Sequence, residues 1–254
     1  ELSLYVADFV EKELPLIERF FDYDLDQRMI FVVYNKMSEF KQSNIGLSSA
    51  ADSYNIGGKT KINQNKVAIY FEGDHVKFKR QIRAAIAEVV INEFMYGNSL
   101  VSNVANTTTI SLPDWYIKGL ISFVSNPWDY TIENRVKDGI VSGKYNKLVR
   151  LSDDDAVYAG HSLWKYVADL YGESIIPNIL YLSKVNKSAE LGFLYVLGQK
   201  LKEISIDWSA YYLGMYMSGD SKRGLPEKST EINKARKGLA YQQVRISPNG
   251  THLA

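Results

Sequence analysis

The stretch IRAAIAEVVINEF, residues 82–94, sets a carboxylate, Glu88, among small and branched apolar side chains. A carboxylate so placed is suited to general-base work, but only with a nucleophile to deprotonate and an electrophile to receive it. The chain supplies few partners. Its three histidines, His75, His161 and His252, are scattered, and a lone imidazole is more often a packed side chain than a ligand. There is no cysteine, which excludes disulfides, thiolate metal sites and a cysteine nucleophile. No Gly-x-Ser-x-Gly elbow occurs. Asp153, Asp154 and Asp155 lack the spaced oxygens and internal glycine of a calcium loop, and read as the acidic first turn of a helix. Lys118, in the run Pro113-Asp114-Trp115-Tyr116-Ile117-Lys118-Gly119, is the other charged residue of interest.

The elements that must position these residues follow from periodicity. LYVADFVEKELPLIERFF carries apolar residues near the helical repeat, with Pro15 expected to kink it. RMIFVVYN and KVAIYFEG, the latter at 66–73, read as strands, with MSEFKQSN as a short helix between them and then a Gly- and Asn-rich loop. From Val76 the pattern is helical up to Gly97, a residue suited to ending a helix. The apolar face Ile82, Ala85, Ile86, Val89, Val90, Phe94 would suffice for an ordinary core helix with Glu88 solvated on the other side. Residues 98–112 form a polar loop, Pro113 opens a second helix, and DDDAVYAGHSLWKYVADLYG, ESIIPNILYLSKV, SAELGFLYVLGQ and SIDWSAYYLGMYM supply four more. The predicted fold class is α+β: a small N-terminal sheet with helices, then a mostly helical half, then a terminal strand.

With 254 residues and 46% hydrophobic content, the chain can bury one large core or two modest ones. Thirty basic against 29 acidic residues leave a net charge of +1, so no global field favours nucleic acid or an acidic membrane. GLPEKSTEINKARKG has basic residues but no flanking aromatics, which disfavours nucleic acid there as well. Residues 219–240 are charged and rich in Gly and Pro, and read as a linker. Tyr211, Tyr212 and Tyr216 on one helix suit an interface or a core.

Three segments in order, AEVVINEF, LPDWYIKGLISF and SLWKYVADLYGESIIPNILYL with its continuation AELGFLYVLGQKLKEISIDWSAYY, resemble the peptidase MA-like, gluzincin-type (thermolysin-like) metallopeptidases over residues 28–217. In that family one helix carries His-Glu-x-x-His, and a second, introduced by Pro-x-Trp, carries x-x-Glu-Gly with the third metal ligand. Pro113, Trp115, Gly119, Tyr171, Gly172, Gly198 and Trp208 stand where that pattern wants them. The resemblance puts the two histidines at Ala87 and Ile91 and the ligand glutamate at Lys118. Two hydrocarbons offer no lone pairs to zinc. An ammonium ~4 Å from a dication is repelled by about 8 kcal/mol at an effective dielectric near 20, twice the unit-pair value. The expectation is a site without metal or cofactor, with Glu88 as a relic of the general base, paired to Lys118 over an apolar floor of Ala87 and Ile91.

Residues 241–254, YQQVRISPNGTHLA, alternate like a strand and turn at Pro248-Asn249-Gly250. They resemble the opening strand of a TolB-like or WD40-like β-propeller. The expected organisation is an inactive peptidase-like domain at 1–218, a linker at 219–240 and the first strand of a propeller at 241–254. What the resemblance implies is a pseudoenzyme that binds protein or peptide in a bacterial cell envelope. It would be periplasmic or associated with an outer-membrane complex, with a signal peptide removed before Glu1 and a β-rich module continuing past Ala254. The rival expectations are a metal-independent hydrolase and a purely structural subunit of an envelope assembly.

Overall fold

The computed structural model describes residues 1–43, 61–63, 65–97, 110, 112–221 and 245–252. Contacts divide the chain into two units, Glu1–Met217 and Ser218–Ala254. Helix α1, Leu2–Phe21, buries Val6, Ile17 and Phe21 on one stripe. It runs through Pro15 without interruption. Strands β1 (Ile30–Tyr34), β2 (Lys61–Asn63) and β3 (Lys66–Tyr70) form one sheet in the order β1-β3-β2, with the short helix α2 (Met37–Gln42) between β1 and β2 in sequence. β1 runs parallel to β3 with Val32 opposite Ala68, and β2 runs antiparallel to it with Ile62 opposite Val67. β2 lies inside the stretch that the sequence reads as loop.

β3 is apolar on both faces because both are covered. Val67 and Ile69 join the main core, whereas Ala68 and Tyr70 pack with Phe40 of α2 in a smaller cluster. Helix α3, His75–Tyr96, follows directly. Asp74 caps it, its Oδ1 accepting from the backbone N–H groups of Val76 (2.9 Å) and Lys77 (3.1 Å). Gly97 ends it at φ 84°, where a side chain would be strained. Asp74→Ala should lower stability by about 1 kcal/mol, a fall of ~2–4 °C in Tm by thermal melting.

α3 is no one-sided amphipathic helix. Twelve of its residues are buried, including Ala84, Ala85, Ile86, Ala87, Val89, Val90 and Ile91. Its middle, residues 84–91, is apolar nearly all round and must be enclosed, and α3 packs against α1, β3 and helix α4, Asp114–Ser125.

α4 in turn crosses α6, Asp153–Tyr171, through two glycines. A Cβ built on Gly119 would stand 2.4 Å from the Cα of Gly160. The Trp164 indole of α6 donates to the Tyr116 carbonyl of α4 at 2.9 Å and locks that crossing. Residues 130–150 carry no sequence expectation. They form α5 (Tyr130–Val141) and a 3-10 turn (Lys144–Arg150), with Ile132, Val136 and Ile140 buried one helical turn apart. Helices α7 (Ile175–Asn186), α8 (Ala189–Leu197) and α9 (Leu201–Ser221) complete the helical half. The molecule is a helix-rich α+β fold. Tyr212 and Tyr216 are core residues of α9, while Tyr211 is 46% exposed.

In the second unit, only residues 245–252 beyond the end of α9 are described. Ile246 forms an isolated bridge, and a turn follows in which the Gly250 N–H donates to the Ser247 carbonyl at 2.8 Å. The rest of the expected linker and terminal strand, residues 222–244 and 253–254, lies outside the described residues. Among the described residues, no helix is long and apolar enough to cross a membrane.

Candidate functional site

Glu88, Asn92 and Tyr96 sit at successive i, i+4 positions and form one polar stripe along the second half of α3. The start of α4 faces that stripe. Together they enclose a pocket of about 230 Å3, lined by Glu88, Asn92 and Tyr96 on one side and by Pro113, Asp114 and Lys118 among others on the other. Two charged residues 30 positions apart are thus brought to one small concavity.

Their pairing differs from expectation. The Lys118 ammonium lies 2.8 Å from Asp114 Oδ2, one helical turn back on α4, and no Glu88–Lys118 ion pair is formed. The reason is local. An i, i+4 pair on one helix aligns two side chains with little loss of freedom, and Asp114, in the first turn of α4, also faces the positive end of that helix. Lys118 therefore reaches Glu88 only through space.

Glu88 is half-buried, not the solvated residue of an ordinary surface face. Burial pushes its carboxyl up to about 7, against the opposing pull of Lys118. Near neutral pH it carries its proton about half the time, and no hydrogen-bond donor meets it among the described residues.

Ala87 and Ile91 are wholly buried and form no floor to the pocket. The i, i+4 row that they occupy faces the core. Trp115 is fully buried as well, with its indole N–H lacking a partner, and Gly119 makes the α4–α6 crossing. Pro113 is the N-cap of α4 and lines the pocket. Tyr171 and Gly172 end α6 away from the pocket lining, Tyr171 being 42% exposed with its hydroxyl 3.4 Å from Gln199 Oε1. Of these motif positions, Glu88, Pro113 and Lys118 line a cavity, whereas Ala87, Ile91, Trp115 and Gly119 hold helices together.

No family model, curated protein or solved structure matches the chain. The site must therefore be read from its own chemistry.

The donor set does not fit a transition metal. Ala87 and Ile91 have no lone pairs, Lys118 is a cation, and among the described residues no three His, Asp or Glu side chains gather as a metal site would require. What the pocket does offer is one half-buried carboxyl with open hydrogen-bonding capacity, beside an Asp–Lys pair whose charges already cancel. Sequence reasoning missed Asn92, Tyr96 and Asp114. The stripe at 88, 92 and 96 is the signal that could have found the first two.

His161 is buried and belongs elsewhere. Its Nδ1 is 2.8 Å from Ser122 Oγ, and its ring lies 5.6 Å from that of Trp128. Burial above all, with Lys165 adding to it, pushes its pKa down to about 3. His75 packs between the rings of Tyr5 and Phe71, and His252 sits in the terminal turn. Of the acidic triplet, Asp155 pairs with Lys144 at 2.6 Å.

Proposed function

We propose that the chain is a non-catalytic, peptidase-like binding module whose Glu88 pocket receives one cationic group of a protein or peptide partner. That group is a lysine or arginine side chain, or a chain's amino terminus. The observation that carries this reading is the unpaired Glu88 carboxyl in a pocket whose other two charges neutralise each other. A cation entering there gains a charge-assisted hydrogen bond and relieves the cost of the buried carboxylate. The pocket's volume suits a single side chain rather than a length of peptide. An extended segment could then lie along a sheet edge.

The resemblance to peptidase MA-like domains, and of the chain's end to a propeller strand, adds that such a module would serve in a bacterial envelope protein. Catalysis is left out because Ala87, Ile91 and Lys118 cannot assemble the Lewis acid that the resembled mechanism needs, and Glu88 has no activated water to deprotonate.

The test is a titration of Lys- and Arg-bearing peptides beside a peptidase assay. Affinity should rise with pH through about 7, because the cation binds the ionised carboxylate, whose proton is lost there. Glu88→Gln should weaken binding by about tenfold to a hundredfold and remove the pH dependence. Peptide cleavage lost in Glu88→Gln would instead establish a hydrolase.

A further inference from the structure

A second cavity, of about 460 Å3, opens between α1, the end of α4 and α6 and shares no lining residue with the Glu88 pocket. Its size is that of a small-molecule site. Phe20, Phe123 and Trp128 give it an aromatic wall, and His161 also lines it.

His161 is 1% exposed, and its two ring nitrogens differ in their surroundings. Nδ1 lies 2.8 Å from Ser122 Oγ, inside the contact between α4 and α6. Nε2 has no hydrogen-bond partner among the described residues, yet it is not sealed from solvent as the unpartnered Trp115 Nε1 and Arg83 Nε are. The sliver of the ring that stays accessible thus includes Nε2, and it opens on the cavity.

Ser122 decides where the proton of the imidazole sits. Its hydroxyl is buried and, unlike that of Ser125, which donates to the Ile121 carbonyl, it does not bond back along its own helix. Nδ1 is the acceptor it meets. Were Nδ1 to carry the proton, the hydroxyl would be a buried donor with nothing to receive it. The Ser122 carbonyl gives the ring no alternative, because it already receives the backbone N–H and the Nδ2 of Asn126, at 2.9 and 3.3 Å. Ser122 therefore donates to Nδ1, and Nε2 presents its N–H to the cavity. Burial keeps the ring uncharged at neutral pH.

Charge narrows what could accept from Nε2. Arg83 is offset by Glu13 at 3.3 Å and Lys165 by Asp169 at 2.9 Å. Glu173, also on the lining, is an exposed carboxylate with no ion pair among the described residues. An anion would find no free cation there and one carboxylate against it. A neutral acceptor on a flat apolar body finds both a donor and a wall.

We propose that this cavity binds a small uncharged aromatic molecule through one hydrogen-bond acceptor, a ring nitrogen or a carbonyl oxygen. The acceptor receives His161 Nε2–H, and the ring lies against Phe20, Phe123 and Trp128. The proposal does not depend on the Glu88 reading, because no residue is common to both.

The test uses three bicyclic aromatic probes: quinoline, whose ring nitrogen accepts, indole, whose N–H only donates, and 2-naphthoate, an anion. Each is titrated to about 10 mM near neutral pH, the range of small fragments, while the imidazole and indole 15N–1H signals of the labelled chain are followed by NMR. Trp115, Trp164 and Trp208 are fully buried, so Trp128 reports on the wall and the others are internal controls. The free chain should show His161 protonated at Nε2. Quinoline should shift His161 Nε2 and the Trp128 indole saturably. Indole should bind about tenfold more weakly, and 2-naphthoate no better than indole. His161→Phe keeps a ring in place, removes the Nε2–H, and should reduce quinoline affinity to that of indole.

A proton found on Nδ1 in the free chain would overturn the proposal. So would indole binding as tightly as quinoline, tighter binding of 2-naphthoate, or no His161 shift with quinoline. The last result would mean that ordered water alone completes Nε2. The quinoline–indole comparison on the unsubstituted chain decides the matter even if His161→Phe fails to fold.

Discussion

Gly160→Ala is expected to lose about 3 kcal/mol of stability, a fall of ~6–12 °C in Tm for a domain of this size. A single methyl group would ordinarily stabilise a helix interior, where alanine is favoured over glycine by about 1 kcal/mol. Here the built Cβ would stand 2.0 Å from the Trp115 carbonyl oxygen and 2.8 Å from Gly119 Cα. Those are backbone atoms that no rotamer change can move, so α4 and α6 would have to separate. Separation would also stretch the hydrogen bond from Trp164 to the Tyr116 carbonyl. Gly214→Ala in α9 is the control, since nothing lies within 4 Å of a Cβ there. It should hold or raise the Tm. Equal melting of the two variants would mean that the helices do not cross at the glycines. Because Lys118 precedes Gly119, loosening this contact should also weaken cation binding at the Glu88 pocket.

What was legible in the sequence follows from where periodicity is one-sided or where a terminus is marked. α3 ends at Gly97 as the sequence marks it, and it starts at His75, capped by Asp74, one residue before the helical pattern read from Val76. α4 begins after Pro113, and α6 opens with its acidic turn. β2 was not legible, because three residues carry no pattern, and its place is set by pairing with β3. Glu88 and Lys118 were legible as residues of interest and do line one cavity. Their mutual pairing was not, because the choice between Glu88 and Asp114 depends on which carboxylate Lys118 can reach within its own helix.

The cavity of about 460 Å3 that Arg83, Asn126 and Trp128 help to line left no trace in the sequence reading. Arg83, Asn126 and Trp128 come from unrelated positions, and only packing brings them to one wall. Gly160 is similar. A glycine inside a helix reads as a small loss of propensity until Gly119 is placed opposite it.

Acidification separates two buried groups whose effects on stability have opposite signs. His161 has a folded pKa of about 3, against 6.5 for its ordinary value. Between those values the unfolded chain binds more protons than the folded one, so its contribution is complete above pH 6.5 and is lost as pH falls toward 3. The slope reaches about 1.4 kcal/mol per pH unit, and the whole window is worth on the order of 5 kcal/mol. Glu88, raised from 4.5 to about 7, does the reverse. Its folded form holds the proton more tightly, so that stability is present below pH 4.5 and lost as pH rises through 7.

Between about pH 4.5 and 6.5 the two slopes oppose each other. Asp74 and Asp129, both held below the usual carboxylate range, act at lower pH and leave this window to the pair. Urea midpoints of the unsubstituted chain should therefore change little there and drop steeply below pH 4.5. Glu88→Gln should expose the full His161 slope, with stability falling from pH 6.5 downward. His161→Gln should leave the Glu88 slope alone, giving a protein that grows more stable as the solution is acidified from pH 7 to 4.5. A Glu88→Gln curve that stays flat across that window would show that His161 takes up its proton without disturbing the core. The contact with Ser122, Phe123 and Trp128 would then have to be far looser than the 2.8 Å hydrogen bond and the 5.6–5.8 Å ring separations indicate.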